Sequence, residues 1–267
     1  MKKFLIFFII LFLFFLVLWF IPSKHHTTKG KRVQKSNIVS TSTHKKHSQK
    51  KKRTSVKKVD FVHVDFHKRL LALHAKLGDP VFIRIFKKEA LLEVWIKPID
   101  KDTYQLFKLY PICAYSGKLG PKTKEGDKQS PEGFYKVGKS SLNPNSHYYL
   151  AFNLGYPNAY DKAHNRTGSY LMVHGKCNSV GCYAMTDRKI KEIYSLVASA
   201  LNHGQNYVNV HAFPFYMTQK NMARYEQSRW YDFWSELKEG YDYFNIERLP
   251  PEIRVENGHY SIYEANQ

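Results

Sequence analysis

The stretch 171–185 places a histidine, two glycines and a cysteine within nine residues, directly after an apolar run. A free thiol with a pKa near ~8.5 is only a few per cent ionised at neutral pH, so a nucleophilic cysteine needs a neighbour that favours the thiolate. His174 is the candidate neighbour of Cys182. The apolar residues before His174 predict the end of a buried strand, which fixes the imidazole, and Gly175 lets the chain turn sharply. These residue types predict acyl transfer to a cysteine.

The residues around Cys182 fit the same chemistry. Gly181 has no side chain, so a substrate carbonyl can approach the backbone there. The N–H groups of Cys182 and Tyr183 are candidates to stabilise the oxyanion that forms when the thiolate attacks. Ser179 either orients this loop through hydrogen bonds or is simply a turn residue.

Two other interpretations use the same residues. A histidine at a strand end and a buried cysteine are common in protein cores. Alternatively, His174, Cys177 and Cys182 are three zinc ligands, with His164 or His211 as the fourth. Their spacing matches none of the usual zinc patterns, so we predict a site without metal.

The pair His174-Gly175, followed by 179–182, resembles the signature of the YkuD-type (ErfK/YbiS/YcfS/YnhG) L,D-transpeptidases, a histidine followed by Ser/Thr-His-Gly-Cys. The resemblance is closest to the YafK-like branch of that family. It covers most of residues 80–257 through segments in fixed order at 120–122, 131–135, 152–158, 166–169, 213–217 and 237–244. The resemblance implies that Cys182 is the nucleophile, that His174 is general base and acid, and that no cofactor is needed.

The sequence departs from the family pattern at two positions. The usual second histidine is Val180 here, and the arginine often found after the cysteine is Ala184. The interval from His174 to Cys182 is also shorter than usual. These departures leave cysteine acyl chemistry intact and the acceptor open: an amine gives transfer, and water gives hydrolysis.

The resemblance implies a peptidoglycan enzyme. Cys182 would form a thioester with the meso-diaminopimelate carbonyl of a stem peptide and pass it to an amine. The alternatives are hydrolysis, as an L,D-carboxypeptidase or an amidase that releases wall-linked lipoprotein, and an inactive wall-binding module. His164 and Arg166 are candidates to hold a substrate carboxylate, or are exposed loop cations.

The N-terminal segment 1–22 predicts a membrane anchor. Residues 4–21 are 18 consecutive apolar residues, which as a helix span about 27 Å, close to the hydrocarbon core of a bilayer. No small-x-small cleavage site follows, which favours an anchor over a cleaved signal peptide, although the latter stays an alternative. Lysines flank both ends, so the orientation comes from the resemblance: a single-pass inner-membrane protein with its catalytic domain in the periplasm.

The segment 23–59 predicts a disordered basic linker. Residues 22–58 contain 13 Lys/Arg, four histidines and no acidic residue, a composition that cannot bury enough apolar surface to fold. The linker accounts for most of the net charge of +20, because 27 Lys/Arg and 22 Asp/Glu remain from Asp60 onward. It is either a solvated tail or a tether attracted to anionic lipids or wall polymers. Nucleic-acid binding does not fit an exported protein.

Residues 60–257 predict one α+β catalytic domain, followed by a tail at 258–267. The family resemblance implies a β-rich sandwich or barrel-like core with peripheral helices. The patterns predict a helix capped by Asp65, a hairpin at 81–86 and 91–96, a strand at 104–114, a loop at 117–133, a helix from Asp187 to Gly204, a strand at 207–211, and one or two helices within 218–240. If Cys182 is a working thiol, Cys113 and Cys177 are either free or paired.

Overall fold

The computed structural model describes residues 63–265, a mixed α+β, sheet-rich domain. Its strands, in chain order, are β1 (Val81–Phe86), β2 (Leu91–Ile96), β3 (Gln105–Pro111), β4 (Gly133–Val137), β5 (Leu142–Ser146), β6 (Tyr149–Asn153), β7 (Met172–His174), β8 (Tyr183–Ala184), β9 (Val208–Phe213), β10 (Glu252–Glu256) and β11 (His259–Tyr263). The helices are α1 (Phe66–Ala72), α2 (Ala159–Ala163), α3 (Asp187–Asn202), α4 (Gln219–Arg224) and α5 (Tyr231–Glu247).

The larger sheet has the strand order β3-β2-β1-β9-β4. Strands β1 and β2 form the predicted antiparallel hairpin with its predicted bounds. Strand β9 pairs in parallel with β1 and antiparallel with β4, so it lies inside the sheet although it comes late in the chain. The predicted strands at 104–114 and 207–211 are confirmed as β3 and β9, with shifted ends.

The smaller sheet, β5-β6-β7-β8, carries the segment singled out above. The predicted strand before His174 is confirmed as β7, which pairs antiparallel with β6 and in parallel with β8. An isolated bridge between Ala114 and Ala184 joins β8 to the chain that follows β3. Strand β7 is therefore held from both sides.

The hydrophobic core has two parts. One part lies where α3 and residues of the smaller sheet pack against the larger sheet, with Ile190, Ile193 and Val197 of α3 fully buried. The other part lies under α5 and the β10–β11 hairpin, around Trp234 and Phe244. The active-site strands thus lie on a rigid, fully packed base.

The helix predictions are confirmed, with corrected ends. Asp65 caps α1 by accepting a hydrogen bond from the Lys68 N–H at 2.9 Å. Helix α3 begins at Asp187 itself, after Thr186 as its N-cap residue. The region 218–240 contains α4 and the start of α5, which continues to Glu247.

The prediction of a tail at 258–267 is wrong for residues 258–265, because they contain strand β11. Strand β11 pairs with β10, and Tyr260 is buried against the second core. The boundary at 257 falls in a hairpin turn, at Asn257 and Gly258, both with positive φ. An Asn-Gly pair is a strong hairpin signal, because both residues adopt this conformation readily.

No helix within residues 63–265 is long and apolar enough to cross a membrane. The predicted membrane anchor at 1–22 and basic linker at 23–59 lie outside the described residues. Both stay predictions.

Candidate active site

His174 is the last residue of β7 and is buried. Its Nδ1 lies 2.6 Å from the carbonyl oxygen of Gly175. Because a carbonyl only accepts, Nδ1 carries the proton in the neutral ring, and Nε2 is left as the basic nitrogen. The ring packs against Tyr148 at a centroid distance of 4.6 Å. Burial lowers the pKa of His174, so the neutral imidazole is favoured.

Cys182 directly precedes β8 and is the free cysteine of the described residues. The parallel register pairs Val173 with Tyr183 and His174 with Ala184, so Cys182, the residue before Tyr183, lies beside the strand that ends at His174. The Met172 N–H donates to Cys182 Sγ at 3.4 Å, and Sγ lies 3.6 Å from the Tyr170 carbonyl. The two strands therefore present a thiol and an imidazole together.

The protonation states differ from the expected thiolate. Burial raises the pKa of Cys182, although the Met172 N–H and the Lys122 ammonium oppose that shift. Lys122 is itself buried and paired with Asp127 at 2.6 Å. The resting site thus holds a neutral thiol beside a neutral imidazole. This arrangement requires the imidazole to take the proton as the sulfur attacks.

Two glycines shape the loop between His174 and Cys182. A Cβ on Gly175 would lie 2.6 Å from the Tyr148 carbonyl oxygen, so the chain passes too close to the β5–β6 turn for any side chain. Gly181 has a φ of +127°, which other residues rarely adopt. Both glycines are therefore structural requirements of the catalytic loop.

Three serines fix the backbone at Cys182. The Cys182 carbonyl accepts hydrogen bonds from Ser179 Oγ at 2.6 Å and from Ser130 Oγ at 3.2 Å. The Gly181 N–H lies 3.1 Å from Ser116 Oγ, which is in turn 2.9 Å from Ser179 Oγ. We call Ser116, Ser130 and Ser179 the serine clamp. The prediction that Ser179 orients the loop fits this geometry.

The clamp leaves one amide for an oxyanion. The Met185 N–H donates to the His174 carbonyl at 2.8 Å. In a parallel pair, every second N–H of a strand points toward the partner strand, so the Tyr183 N–H also points toward β7. The predicted donor role of Tyr183 does not fit this position; its hydroxyl donates to the Pro131 carbonyl at 2.7 Å. Within residues 63–265 the Cys182 N–H donates to no acceptor. It is the amide available at the reacting sulfur.

Cys113 and Cys177 form a disulfide with a Cα–Cα distance of 5.3 Å. The bond joins the segment that carries Ser116 to the loop that carries Ser179. Because the Cys177 sulfur is part of this disulfide, it has no thiolate with which to bind zinc. Cys177 therefore cannot complete the alternative zinc site. No cluster of His, Cys, Asp and Glu suited to a metal occurs within the described residues.

The two candidate substrate cations are held by the protein itself. Arg166 is buried, pairs with Asp161 at 2.9 Å, and lies over the rings of Tyr160 and Phe233. The exposed His164 stacks on Tyr160, and its Nδ1 lies 3.0 Å from the Tyr160 carbonyl. The predicted role of Arg166 in binding a substrate carboxylate does not fit, because its guanidinium is already paired and enclosed.

Three residues of the site were missed. Ser116, Ser130 and Lys122 come from the segment between β3 and β4, far from Cys182 in sequence. The predicted loop over 117–133 is confirmed, but serines and lysines in a loop carry no signal of their own. Only tertiary structure brings them to the thiol.

A thiol beside the strand that ends in a buried imidazole, with a free amide next to the sulfur, makes a site suited to cysteine acyl transfer. The family model YkuD, the L,D-transpeptidase catalytic domain, matches residues 80–207. The curated protein "Putative L,D-transpeptidase YafK" of Escherichia coli (strain K12) is 52% identical over 186 residues, which cover 70% of this chain and 75% of that protein. The chain belongs to the L,D-transpeptidase family, which acts on peptidoglycan.

Two solved structures are also similar. One is the helical cell shape determining protein Pgp2 from Campylobacter jejuni, with 18% identity and a TM-score of 0.40, covering 72% of this chain and 81% of that one. The other is Bd1075 of Bdellovibrio bacteriovorus, with 23% identity and a TM-score of 0.38, covering 62% and 60%.

Proposed function

We propose that this protein modifies peptidoglycan through a thioester on Cys182. The acyl donor is the meso-diaminopimelate carbonyl of a stem peptide. The observation that carries the proposal is the position of the Cys182 thiol at β7, where the Met172 N–H donates to Sγ at 3.4 Å, two residues before His174 on the same strand. The Cys182 N–H beside the sulfur supplies the oxyanion donor.

The geometry gives each group a step. His174 Nε2 takes the proton of Sγ while sulfur bonds to the substrate carbonyl carbon, and the oxygen becomes an oxyanion at the Cys182 N–H. When the tetrahedral intermediate collapses, the C–N bond breaks and His174 returns the proton to the leaving amine. The product is a thioester on a neutral enzyme.

The thioester then meets an acceptor. An amine attacks with His174 as base, which gives a new amide and restores the thiol. Water attacking the same carbonyl gives a carboxylate and the same thiol. Val180, which is 76% exposed, and Ala184, which is fully buried, are both uncharged. Neither can bind an acceptor through charge. We therefore propose transfer accompanied by measurable hydrolysis.

Hydrolysis alone would make the protein an L,D-carboxypeptidase, or an amidase that releases wall-linked lipoprotein. A wall-binding module without activity is the remaining alternative. It would bind stem peptides without forming a thioester on Cys182.

Intact-protein mass spectrometry tests the proposal. The full chain is incubated with disaccharide-tetrapeptide, and an acyl adduct is expected on the wild type but not on Cys182→Ala. Product analysis with and without an added amine then separates transfer from hydrolysis. A wild type that binds the muropeptide but never gains the adduct would contradict the enzymatic proposal and support the wall-binding module.

We further propose that the catalytic domain works in the periplasm, anchored to the inner membrane through residues 1–22. The support is the apolar run at 4–21 together with a family that acts on peptidoglycan. The structural disulfide Cys113–Cys177 fits an oxidising compartment.

A further inference from the structure

Exposed apolar side chains cluster around the catalytic pair. Nine large hydrophobic residues are exposed within residues 63–265, and four of them surround His174 and Cys182. Tyr148 and Tyr149 are 41% and 42% exposed, Tyr170 is 74% exposed and Val180 is 76% exposed. We call these four residues the apolar rim. A soluble surface rarely gathers such residues unless they bind something.

The rim is attached directly to the reacting groups. The ring of Tyr148 packs on His174, and a Cβ on Gly175 would lie 3.1 Å from the Cβ of Tyr149. The carbonyl of Tyr170 lies 3.6 Å from Cys182 Sγ. A substrate bound at the thiol therefore lies next to the segments that carry the rim.

Two of the rim tyrosines have a strained backbone. Tyr149 has a φ of +74° and Tyr170 a φ of +54°. The left-handed conformation costs a residue with a side chain about 1–2 kcal/mol. Neither ring is buried in return, so packing does not offset that cost. Strain of this kind is concentrated at sites that bind ligands.

We propose that the apolar rim binds a sugar ring of the glycan strand that carries the stem peptide. This inference rests on the proposed function and names the part of the substrate that the rim recognises. The diaminopimelate carbonyl is three residues from the sugar, and three extended residues span about 10 Å. The sugar that bears the reacting peptide must therefore lie close to the thiol, at the edge of the site.

The chemistry of the rim favours a sugar over the stem peptide itself. Tyrosine offers a flat apolar face and a hydroxyl at its tip, which match the C–H face and the hydroxyls of a pyranose. The stem peptide carries carboxylates, which gain nothing from apolar contacts. Its ammonium group would be attracted to the face of a tyrosine ring, but the Lys176 Nζ already lies 5.7 Å from the ring centroid of Tyr148 and would repel a second cation there.

The test compares two donors that differ only in the sugar: disaccharide-tetrapeptide and the free tetrapeptide. The readout is the ratio of their kcat/KM values for acylation of Cys182, measured by mass spectrometry. We expect a ratio of at least tenfold in favour of the disaccharide form. Tyr170→Gly should reduce that ratio about tenfold, because glycine keeps the left-handed backbone and the carbonyl at Sγ while the ring is lost.

Two further variants complete the test. Tyr170→Phe should keep the ratio, since the ring face remains. Tyr207→Ala, an exposed tyrosine at 39% that lies outside the rim, should also keep it. A wild-type ratio near one, or a ratio unchanged in both Tyr170→Gly and Tyr149→Gly, would overturn the inference. Failure of both donors to acylate the wild type would instead count against the proposed function.

Discussion

At the scale of single residues, the site consists of two neutral groups rather than an ion pair. Burial raises the pKa of Cys182 and lowers that of His174. A buried thiolate–imidazolium pair would have to be stabilised by other charges, and the nearest cation, Lys122, is already paired with Asp127. Proton transfer during attack avoids this cost.

The first prediction concerns pH. Because burial disfavours the thiolate, alkylation of Cys182 by iodoacetamide should reach half its maximal rate at a higher pH than a free cysteine does. The lowered pKa of His174 keeps the imidazole neutral, so the acid limb of acylation should lie below pH 6.5. The denatured, disulfide-intact protein is the control, since Cys182 is then an ordinary thiol. A midpoint below that control would contradict the neutral pair.

The second prediction concerns the base. His174→Ala should slow acylation by about 10²–10⁴-fold, the usual contribution of a positioned proton-transfer group. His164→Ala is the matched control, because His164 is exposed and stacks on Tyr160; its acylation rate should stay within about twofold of the wild type. Single-turnover adduct formation measures both. Equal rates for His174→Ala and the wild type would exclude His174 as the base.

The candidate pair His174 and Cys182 could be proposed from sequence because both residues belong to one short segment. The role proposed for Arg166 does not fit, because the sequence does not show what surrounds its side chain. Its partner Asp161 lies on α2, and only the fold shows that the ion pair is enclosed by aromatic rings. Residue type gives the chemistry that a side chain can do. It does not tell whether the side chain is already occupied.

At the scale of elements, the loop between β7 and β8 is shaped by other parts of the chain. The serine clamp and the Cys113–Cys177 disulfide tie it to Cys113, Ser116 and Ser130 in the segment between β3 and β4. The clamp holds the Gly181–Cys182 backbone, and therefore the Cys182 N–H, in place before the substrate arrives. Preorganised donors of this kind need no rearrangement during the reaction.

The third prediction tests the clamp. Ser130→Ala removes a hydrogen bond to the Cys182 carbonyl from a fully buried hydroxyl. Acylation should slow about tenfold, equivalent to ~1.4 kcal/mol of transition-state stabilisation. Ser195→Ala is the control, because Ser195 Oγ donates within α3 to the Glu192 carbonyl. An acylation rate equal to that of the control would show that the loop is held without the Ser130 hydrogen bond.

The fourth prediction concerns the disulfide. Cys177→Ala should lower the free energy of unfolding by about 2–5 kcal/mol, the usual effect of removing a native disulfide, since the bond closes a loop with a sequence separation of 64. Chemical denaturation measures this loss. Acylation should fall far less than in Cys182→Ala, because the nucleophile remains. A Cys177→Ala protein as inactive as Cys182→Ala would give Cys177 a direct role.

The elements that sequence predicted well are those with a clear period. The two apolar runs at 81–86 and 91–96, separated by a short charged stretch, predicted the hairpin, and the apolar spacing of 190–201 predicted α3. The strands β4, β5 and β6 lie among residues rich in Pro, Asn and Gly. The pairing partner of β4 is the distant β9, and the β5–β6 hairpin has an irregular register. The β10–β11 hairpin was missed because its polar, exposed face obscured the Asn257-Gly258 turn signal.

At the scale of the whole molecule, charge is separated along the chain. Most of the net charge of +20 belongs to residues 22–58, whereas the sequence from Asp60 onward has 27 Lys/Arg and 22 Asp/Glu. All candidate catalytic groups lie in the second part. The first part, with its apolar run and basic segment, has the composition of an anchor and a tether. As a flexible coil the tether would have an r.m.s. reach of roughly 35 Å.

The last prediction separates these roles. A form that begins at Asp60 should acylate isolated muropeptides at the same rate as the full chain, because all candidate catalytic groups come after Asp60 in the sequence. Exported with a cleavable signal in cells, the same form should modify the wall less than the full chain at equal abundance, since a tether raises the local concentration of the enzyme at its substrate. Muropeptide analysis of the isolated wall measures the difference.

A full chain whose basic residues in 22–58 are replaced by serine and glycine keeps the anchor and the reach and is the control for charge. Equal wall modification by all three forms would make the segment an inert spacer, whereas a loss confined to the Asp60 form would assign the effect to anchoring alone.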